Sequence, residues 1–108
     1  MRRDAILRQL GYSVTPNAIE QVQRVMDNTK DYDYVEKHLI SLHDTLKPRL
    51  SFVAISSTHD YFKIKNEAVG EEMVQSTKDI IQKWSKKYKI ALEKVPNKET
   101  YYVLGKSA

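Results

Sequence analysis

The stretch RLSFVAISSTHDYFKIK, residues 49–65, decides the fold because the periodicity of the chain changes there. RLSFVAIS is a compact apolar run rich in strand-forming residues. In DYFKIK, Phe62 and Ile64 alternate with a tyrosine and two lysines. Both patterns are typical of β-strands. Because SSTH between them has the composition of a turn, the stretch predicts a β-hairpin.

Helical patterns precede this hairpin. The first helix is predicted over about Arg3 to Leu10 and ends at Gly11, which suits a left-handed C-cap. A second helix is predicted to begin after Thr15, because threonine is a good N-cap residue and Pro16 fits the first helical position. Tyr12 and Val14 lie in the joint between the two helices and are free to pack between the helices.

The third predicted helix has a clear start and a clear stop. Asp33 and Glu36 have the spacing of a capping box, and Lys47-Pro48 ends the helix. Its apolar positions recur at spacings of four and three: Val35, Leu39, Leu42 and Leu46. Three helices in fewer than fifty residues predict a small bundle.

Downstream of the hairpin, a fourth helix is predicted over about Glu71 to Tyr88, followed by a second hairpin. In that hairpin YKIALEKV and TYYVL flank the turn PNKE. The fold class is therefore α+β: an N-terminal three-helix bundle, then a β-β-α-β-β unit whose small antiparallel sheet packs on one long helix. We expect one domain over 1–108, with a helical lobe at 1–48 and a small-sheet lobe at 49–108.

The composition excludes several classes of protein. At 108 residues, 41% hydrophobic and 30% charged, the chain is typical of an ordered globular domain. Without cysteine it has no disulfide, cysteine-zinc site or catalytic thiol. No apolar run approaches the roughly 20 residues of a membrane span. We therefore expect a cytoplasmic protein that does not contact a membrane.

Positive charge is concentrated at the C-terminal end, where residues 78–108 carry eight lysines against three acidic residues. Within KDIIQKWSKKYKIALEK, the lysines are candidates for contacts with nucleic-acid phosphates: Lys83, Lys86, Lys87 and Lys89. The same lysines also suit the negative end of a helix dipole, so both explanations remain open. Trp84 lies on the apolar stripe of the helix, and we expect it in the core.

Two tyrosines of the last predicted strand are candidates for binding a partner. Tyr101 and Tyr102 are neighbours in a strand, so they point to opposite faces of the sheet. At least one of them should lie near the surface unless both faces are covered. A surface tyrosine beside lysine suits a protein interface, although it is also ordinary strand composition.

No motif for a metal or a cofactor is present. His38 and His43 are five residues apart, whereas a helical metal pair needs a spacing of three or four. His43 and Asp44 are adjacent, and adjacent residues of a helix do not face each other as a catalytic relay requires. The three glycines are too far apart for a phosphate loop. We expect no catalytic residue, no metal and no cofactor.

The first sixty or so residues, with ILRQLGYSVTPNAIEQV followed by YVEKHLISL, resemble the N-terminal helical domain of the small subunit of archaeal family-D DNA polymerase. The matching positions are Gly11, Tyr12, Val14, Thr15 and Pro16. The resemblance implies a non-catalytic module for protein contacts in a replication or repair assembly. The phosphodiesterase and OB-fold portions of that subunit have no counterpart here, and residues 66–108 resemble no family we can place.

The sequence thus predicts a non-enzymatic interaction module in a nucleic-acid-associated setting. A protein partner is expected, with nucleic acid as a further ligand of the basic C-terminal segment. One alternative is a winged-helix DNA-binding protein that uses residues 33–65, with the third helix as reader and the hairpin as wing. The acidic residues in and just before that helix argue against this alternative, because they would repel the phosphates on either side of a DNA groove. A second alternative is a small enzyme of unknown class.

Overall fold

The computed structural model describes residues 2–107 and contains four helices and four strands. Helices α1 to α3 come first, followed by a single 3-10 turn, and α4 separates two pairs of strands. Their bounds are α1 Arg2–Gln9, α2 Pro16–Asn28, α3 Tyr32–Leu46, the 3-10 turn Lys47–Arg49, β1 Phe52–Ile55, β2 Phe62–Lys65, α4 Glu71–Tyr88, β3 Ile90–Lys94 and β4 Thr100–Lys106.

Local sequence signals explain most of these boundaries. Gly11 ends α1 with a positive φ of 87°. Thr15 caps α2, and its Oγ1 atom accepts a hydrogen bond of 3.1 Å from the Ala18 N–H. The capping box predicted for α3 is wrong. The N-cap residue is Asp31, whose backbone is left-handed with φ 54°, so the helix begins before the predicted cap at Asp33.

The four strands form one antiparallel sheet in the order β1-β2-β4-β3. Each hairpin supplies two neighbouring strands, and the pairing of β2 with β4 joins the hairpins at the centre of the sheet. In that pairing Phe62 lies opposite Val103 and Ile64 opposite Tyr101. All four side chains are buried in a hydrophobic core shared with residues of all four helices.

The structure confirms the α+β class, but it does not match the finer arrangement predicted from sequence. Helix α3 is not part of a separate bundle: it packs on β1 and β4 and also contacts α4. A four-stranded sheet is about 15–20 Å wide, and one helix about 10 Å, so α4 alone leaves apolar sheet surface uncovered. The fully apolar stripe of α3 fills that space. Its four residues are buried: Val35, Leu39, Leu42 and Leu46.

The outer edge of β1 is closed by two side chains from the helical region. The N–H groups of Val53 and Ile55 point away from β2. Val53 donates to Nδ1 of His43 at 3.0 Å, and Ile55 donates to the Tyr12 hydroxyl at 2.9 Å. An edge strand with free N–H groups invites pairing with another chain. Tyr12, in the joint between α1 and α2, and His43, near the end of α3, therefore protect this edge.

The C-terminal part of β4 is closed by the link between α2 and α3. Lys30 forms a parallel bridge with Gly105: its N–H donates to the Leu104 carbonyl, and its carbonyl accepts from the Lys106 N–H at 2.9 Å. A Cβ atom on Gly105 would lie 2.4 Å from the backbone nitrogen of Lys30. Glycine is therefore required where the two backbones meet.

Candidate nucleic-acid interface

The two faces of the sheet differ in burial and in chemistry. Phe62, Ile64 and Val103 are fully buried on the helix side. Alternate residues of the same strands point to the opposite side and are partly exposed, among them Lys63 and Tyr102. We call this side the open face, and it includes the side chains of Phe52, Tyr61, Lys63, Lys65, Glu93, Tyr102 and Leu104.

An aromatic cluster lies at one end of the open face, next to the loop that joins β1 and β2. The rings of Tyr61 and Tyr102 are 5.5 Å apart between centroids, and the His59 ring is 5.2 Å from that of Tyr102. The hydroxyl of Tyr102 and Nδ1 of His59 are 3.1 Å apart, at hydrogen-bond distance. These mutual contacts hold three partly or fully exposed rings side by side.

The register of the sheet places lysines beside these rings. Lys63 is the direct cross-strand neighbour of Tyr102, and Lys65 is the neighbour of Phe52, whose ring centroid lies 6.0 Å from the lysine Nζ. Within residues 2–107, neither lysine lies within ion-pair distance of a carboxylate. Glu93 is the cross-strand neighbour of Tyr102 on the other side and is exposed. The two ammonium groups are therefore available to an anionic ligand.

The four lysines predicted from sequence as nucleic-acid contacts are all exposed, but they do not form one patch. Lys86 faces β3 and lines a groove with Lys94. Lys87 faces the α3 side, where its Nζ lies 5.3 Å from the Tyr88 ring centroid. Lys89 ends α4 with a left-handed backbone, and its carbonyl accepts from the Ser107 N–H. Lys83 is exposed elsewhere on the same helix.

The two candidate tyrosines have very different surroundings. Tyr101 is 5% exposed and belongs to the core, so it offers a partner little surface. Tyr102 is partly exposed on the open face, inside the aromatic cluster. Trp84 lies in the core as expected, and its indole N–H donates to the His38 carbonyl at 3.0 Å.

The three histidines lie in separate places. His43 is buried beside β1, and His59 belongs to the open-face cluster. His38 stacks on Tyr88 with 3.9 Å between ring centroids. Desolvation, followed by the charges of Lys37 and Lys87, lowers the pKa of His38. Across residues 2–107, the structure contains no group of three or more metal-binding side chains.

Sequence reasoning missed the open face as a site, although part of its signal was present. The alternation in DYFKIK places one tyrosine and two lysines on the same side of β2. What the sequence could not show is that Tyr102 joins them, because this depends on the pairing of β2 with β4, strands more than thirty residues apart in the chain.

Comparisons of the chain with protein-family models, with curated proteins and with solved structures find no match. The resemblance to the polymerase subunit therefore stays a prediction. Among the helices of residues 2–107, none is both long enough and apolar enough to cross a membrane.

Proposed function

We propose that this protein is a non-enzymatic interaction module that binds single-stranded nucleic acid on the open face of its sheet. The observation that carries the proposal is the arrangement of partly exposed aromatic rings beside lysines that form no ion pair within residues 2–107, with Lys63 next to Tyr102 on neighbouring strands. Rings of this kind stack on unpaired bases whatever their identity, and lysines neutralise the phosphates between them.

The exposed rings of the open face favour binding of a single strand over a duplex. Aromatic rings reach bases only where the bases are unstacked, and in a duplex they are stacked inside the helix. The rings of Tyr61 and His59 are tilted by 35° and 46° to that of Tyr102 and lie on a sheet face, whereas a major groove is entered by a protruding helix or ribbon. We therefore expect a preference for single strands with little sequence specificity.

The C-terminal lysines support a second, weaker contact with phosphates. Lys83, Lys86, Lys87 and Lys89 belong to the helix layer, on the other side of the sheet from the cluster. A strand held on the open face would have to pass around the edge of the sheet to reach them. We assign the main binding energy to the open face. A protein partner in a replication or repair assembly, as the polymerase resemblance implies, stays part of the proposal.

The winged-helix alternative receives less support from the geometry. A reading helix must project from the protein, whereas α3 packs on the sheet beside α4 and buries six of its residues. The hairpin of residues 52–65 is two strands of a four-stranded sheet, so it is not a free wing. A small enzyme would need a pocket with convergent catalytic groups, and no such observation favours it.

The test is fluorescence anisotropy of labelled single-stranded and double-stranded oligonucleotides at low and physiological salt. We expect single-strand binding that weakens as salt rises. Lys63→Glu with Lys65→Glu should weaken it by at least about tenfold, because two phosphate contacts are replaced by repulsion. Tyr102→Ala should weaken it by about 1–3 kcal/mol, the usual contribution of one stacked base.

Matched variants separate stacking from other effects of substitution. Tyr102→Phe keeps the ring and should retain binding. The triple change Lys83→Glu, Lys86→Glu and Lys87→Glu alters charge more strongly but lies outside the open face, so it should have the smaller effect. Tighter binding of duplex than of single strand, or greater loss in the triple variant, would refute the open-face proposal.

A further inference from the structure

A groove of about 470 Å³ lies on the helix side of the sheet, between α4 and the strands β3 and β4. It is separate from the open face. Its lining combines three lysines with neutral polar groups and one apolar side chain, and it consists of Lys78, Lys86, Lys94, Gln82, Ser85, Leu92 and Tyr101. The volume is in the range of sites for small organic ligands.

The three lysines of the groove, Lys78, Lys86 and Lys94, form no ion pair with acidic side chains in the described part of the chain. Two of them lie about two turns apart on α4 and one comes from β3, so the fold brings all three side chains to the same groove. Unpaired like charges around one concavity repel each other, and an anion in the groove would relieve that repulsion.

The wall of the groove contains a buried hydroxyl without a partner. Tyr101 is 5% exposed, and among residues 2–107 its Oη atom has no hydrogen-bond partner. Burial, followed by the charge of Glu99, raises the pKa of Tyr101, so the hydroxyl stays protonated and can donate. Buried polar groups in native proteins are normally satisfied. Glu99, whose charge acts on Tyr101, has a buried Oε1 atom that also lacks a partner within the described residues, so it does not accept this hydrogen bond and the hydroxyl is available to a ligand.

We propose that the groove binds a phosphate-bearing small molecule, held by Lys78, Lys86 and Lys94 and by a hydrogen bond from the Tyr101 hydroxyl. Phosphate fits because its oxygens accept several hydrogen bonds at once, and ammonium and hydroxyl groups only supply donors here. The site is independent of nucleic-acid binding on the open face. Inorganic phosphate and a nucleoside monophosphate share this chemistry, and the test includes both.

The test is an NMR titration of the protein at physiological salt with inorganic phosphate, AMP and adenosine. Saturable shifts of α4 and β3 amides with phosphate or AMP, but not with adenosine, are expected. If inorganic phosphate and AMP bind with similar affinity, the site recognises the phosphate group itself. If AMP binds more tightly than inorganic phosphate, the site recognises a nucleotide. No saturable shift with either phosphate at millimolar concentration would overturn the proposal.

Variants decide whether the groove holds the ligand. Lys86→Gln with Lys94→Gln should weaken binding by about tenfold or more, whereas Lys83→Gln, on the same helix outside the groove, should leave it unchanged. Tyr101→Phe should weaken binding without lowering stability, since its hydroxyl has no hydrogen-bond partner in the part of the chain that the structure describes. Equal losses in the Lys83 variant, or unchanged affinity in both groove variants, would overturn the proposal. The Lys63→Glu, Lys65→Glu protein should bind phosphate with unchanged affinity. The phosphate site in the groove is therefore tested independently of nucleic-acid binding on the open face.

Discussion

Tyr12 is the residue that explains the joint between α1 and α2. Its hydroxyl accepts the Ile55 N–H of the edge strand, which links residues 43 positions apart in the chain. The left-handed Gly11 before it turns the chain out of α1. The sequence Gly-Tyr-Ser-Val-Thr-Pro is therefore a helix stop, a strand contact and a helix start in succession.

Removing this hydroxyl should destabilise the protein. Tyr12→Phe leaves the Ile55 N–H without its acceptor, and we expect a loss of about 1 kcal/mol in the free energy of unfolding, measured by urea denaturation. Tyr101→Phe is the matched control because it removes a hydroxyl that has no partner among the described residues 2–107, and it should be neutral or stabilising. Equal destabilisation by both changes would contradict the role assigned to Tyr12.

His43 should make stability depend on pH. Burial, followed by the charge of Lys47, lowers the pKa of His43 below 6.5, with Asp44 acting in the opposite direction. The unfolded chain therefore binds a proton at this residue more readily than the folded chain. The free energy of unfolding should fall as pH decreases below about 6.5, toward the lowered pKa of the folded state.

The measurement is urea denaturation at several pH values on both sides of 6.5. His43→Gln is the control, since an amide oxygen can accept from the Val53 N–H but does not titrate in this range. The variant should lose the part of the acid sensitivity that is due to His43 and keep the part due to His38, whose pKa is also lowered. An unchanged pH profile in His43→Gln would show that another group is responsible.

The roles of Tyr12 and His43 could not be predicted from the sequence, because they depend on tertiary contacts. Caps and stripes, such as Thr15 and Trp84, are local and follow from spacing. Tyr12 and His43 act on β1 through contacts that form only when the helices dock on the sheet. Strand alternation predicted that Tyr101 and Tyr102 point to opposite faces of the sheet. Which of the two faces the helices cover depends on how all four strands pair.

At the scale of elements, a substitution at Gly105 tests whether the link between α2 and α3 must pack closely against β4. Gly105→Ala would place a Cβ 2.4 Å from the Lys30 nitrogen and 2.6 Å from its carbonyl oxygen, at a φ of 125°. We expect a loss of about 2 kcal/mol or more. Gly11→Ala also has positive φ but meets no atom within 4 Å, so its cost should be near 1 kcal/mol.

Thermal and urea unfolding of the two glycine variants measure the difference. A similar cost for both would mean that backbone conformation alone matters, and that the approach of Lys30 to Gly105 is not required. A larger cost at Gly105 would place the bridge between the α2–α3 link and β4 among the contacts that hold the helices on the sheet.

Element positions were largely predictable, whereas their assembly was not. The periodicity of residues 71–88 and the alternation of residues 61–65 are strong, and both elements occur where the sequence places them. The start of α3 was misplaced because Asp31 adopts a left-handed conformation that capping rules do not anticipate. The packing of α3 on the sheet depends on sheet width, which requires knowing that the two hairpins join.

At the scale of the whole molecule, the fold separates two chemistries. The helix side holds the core and a groove lined by lysines, and the open face holds partly exposed rings beside two lysines that have no ion-pair partner in the described chain. Composition alone could indicate an excess of positive charge but not its division between two surfaces. This division is what makes the proposed contacts with a single strand and with a small phosphate separable by mutation.

The most direct test of the open-face proposal is a ¹H–¹⁵N NMR titration of the protein with a short single-stranded oligonucleotide. We predict the largest, salt-sensitive shifts in β2 and β4 around Lys63, Lys65 and Tyr102, and in the loop that carries His59. Shifts confined to α4 and its lysines, or no shifts at low salt, would contradict the assignment of nucleic-acid binding to the open face.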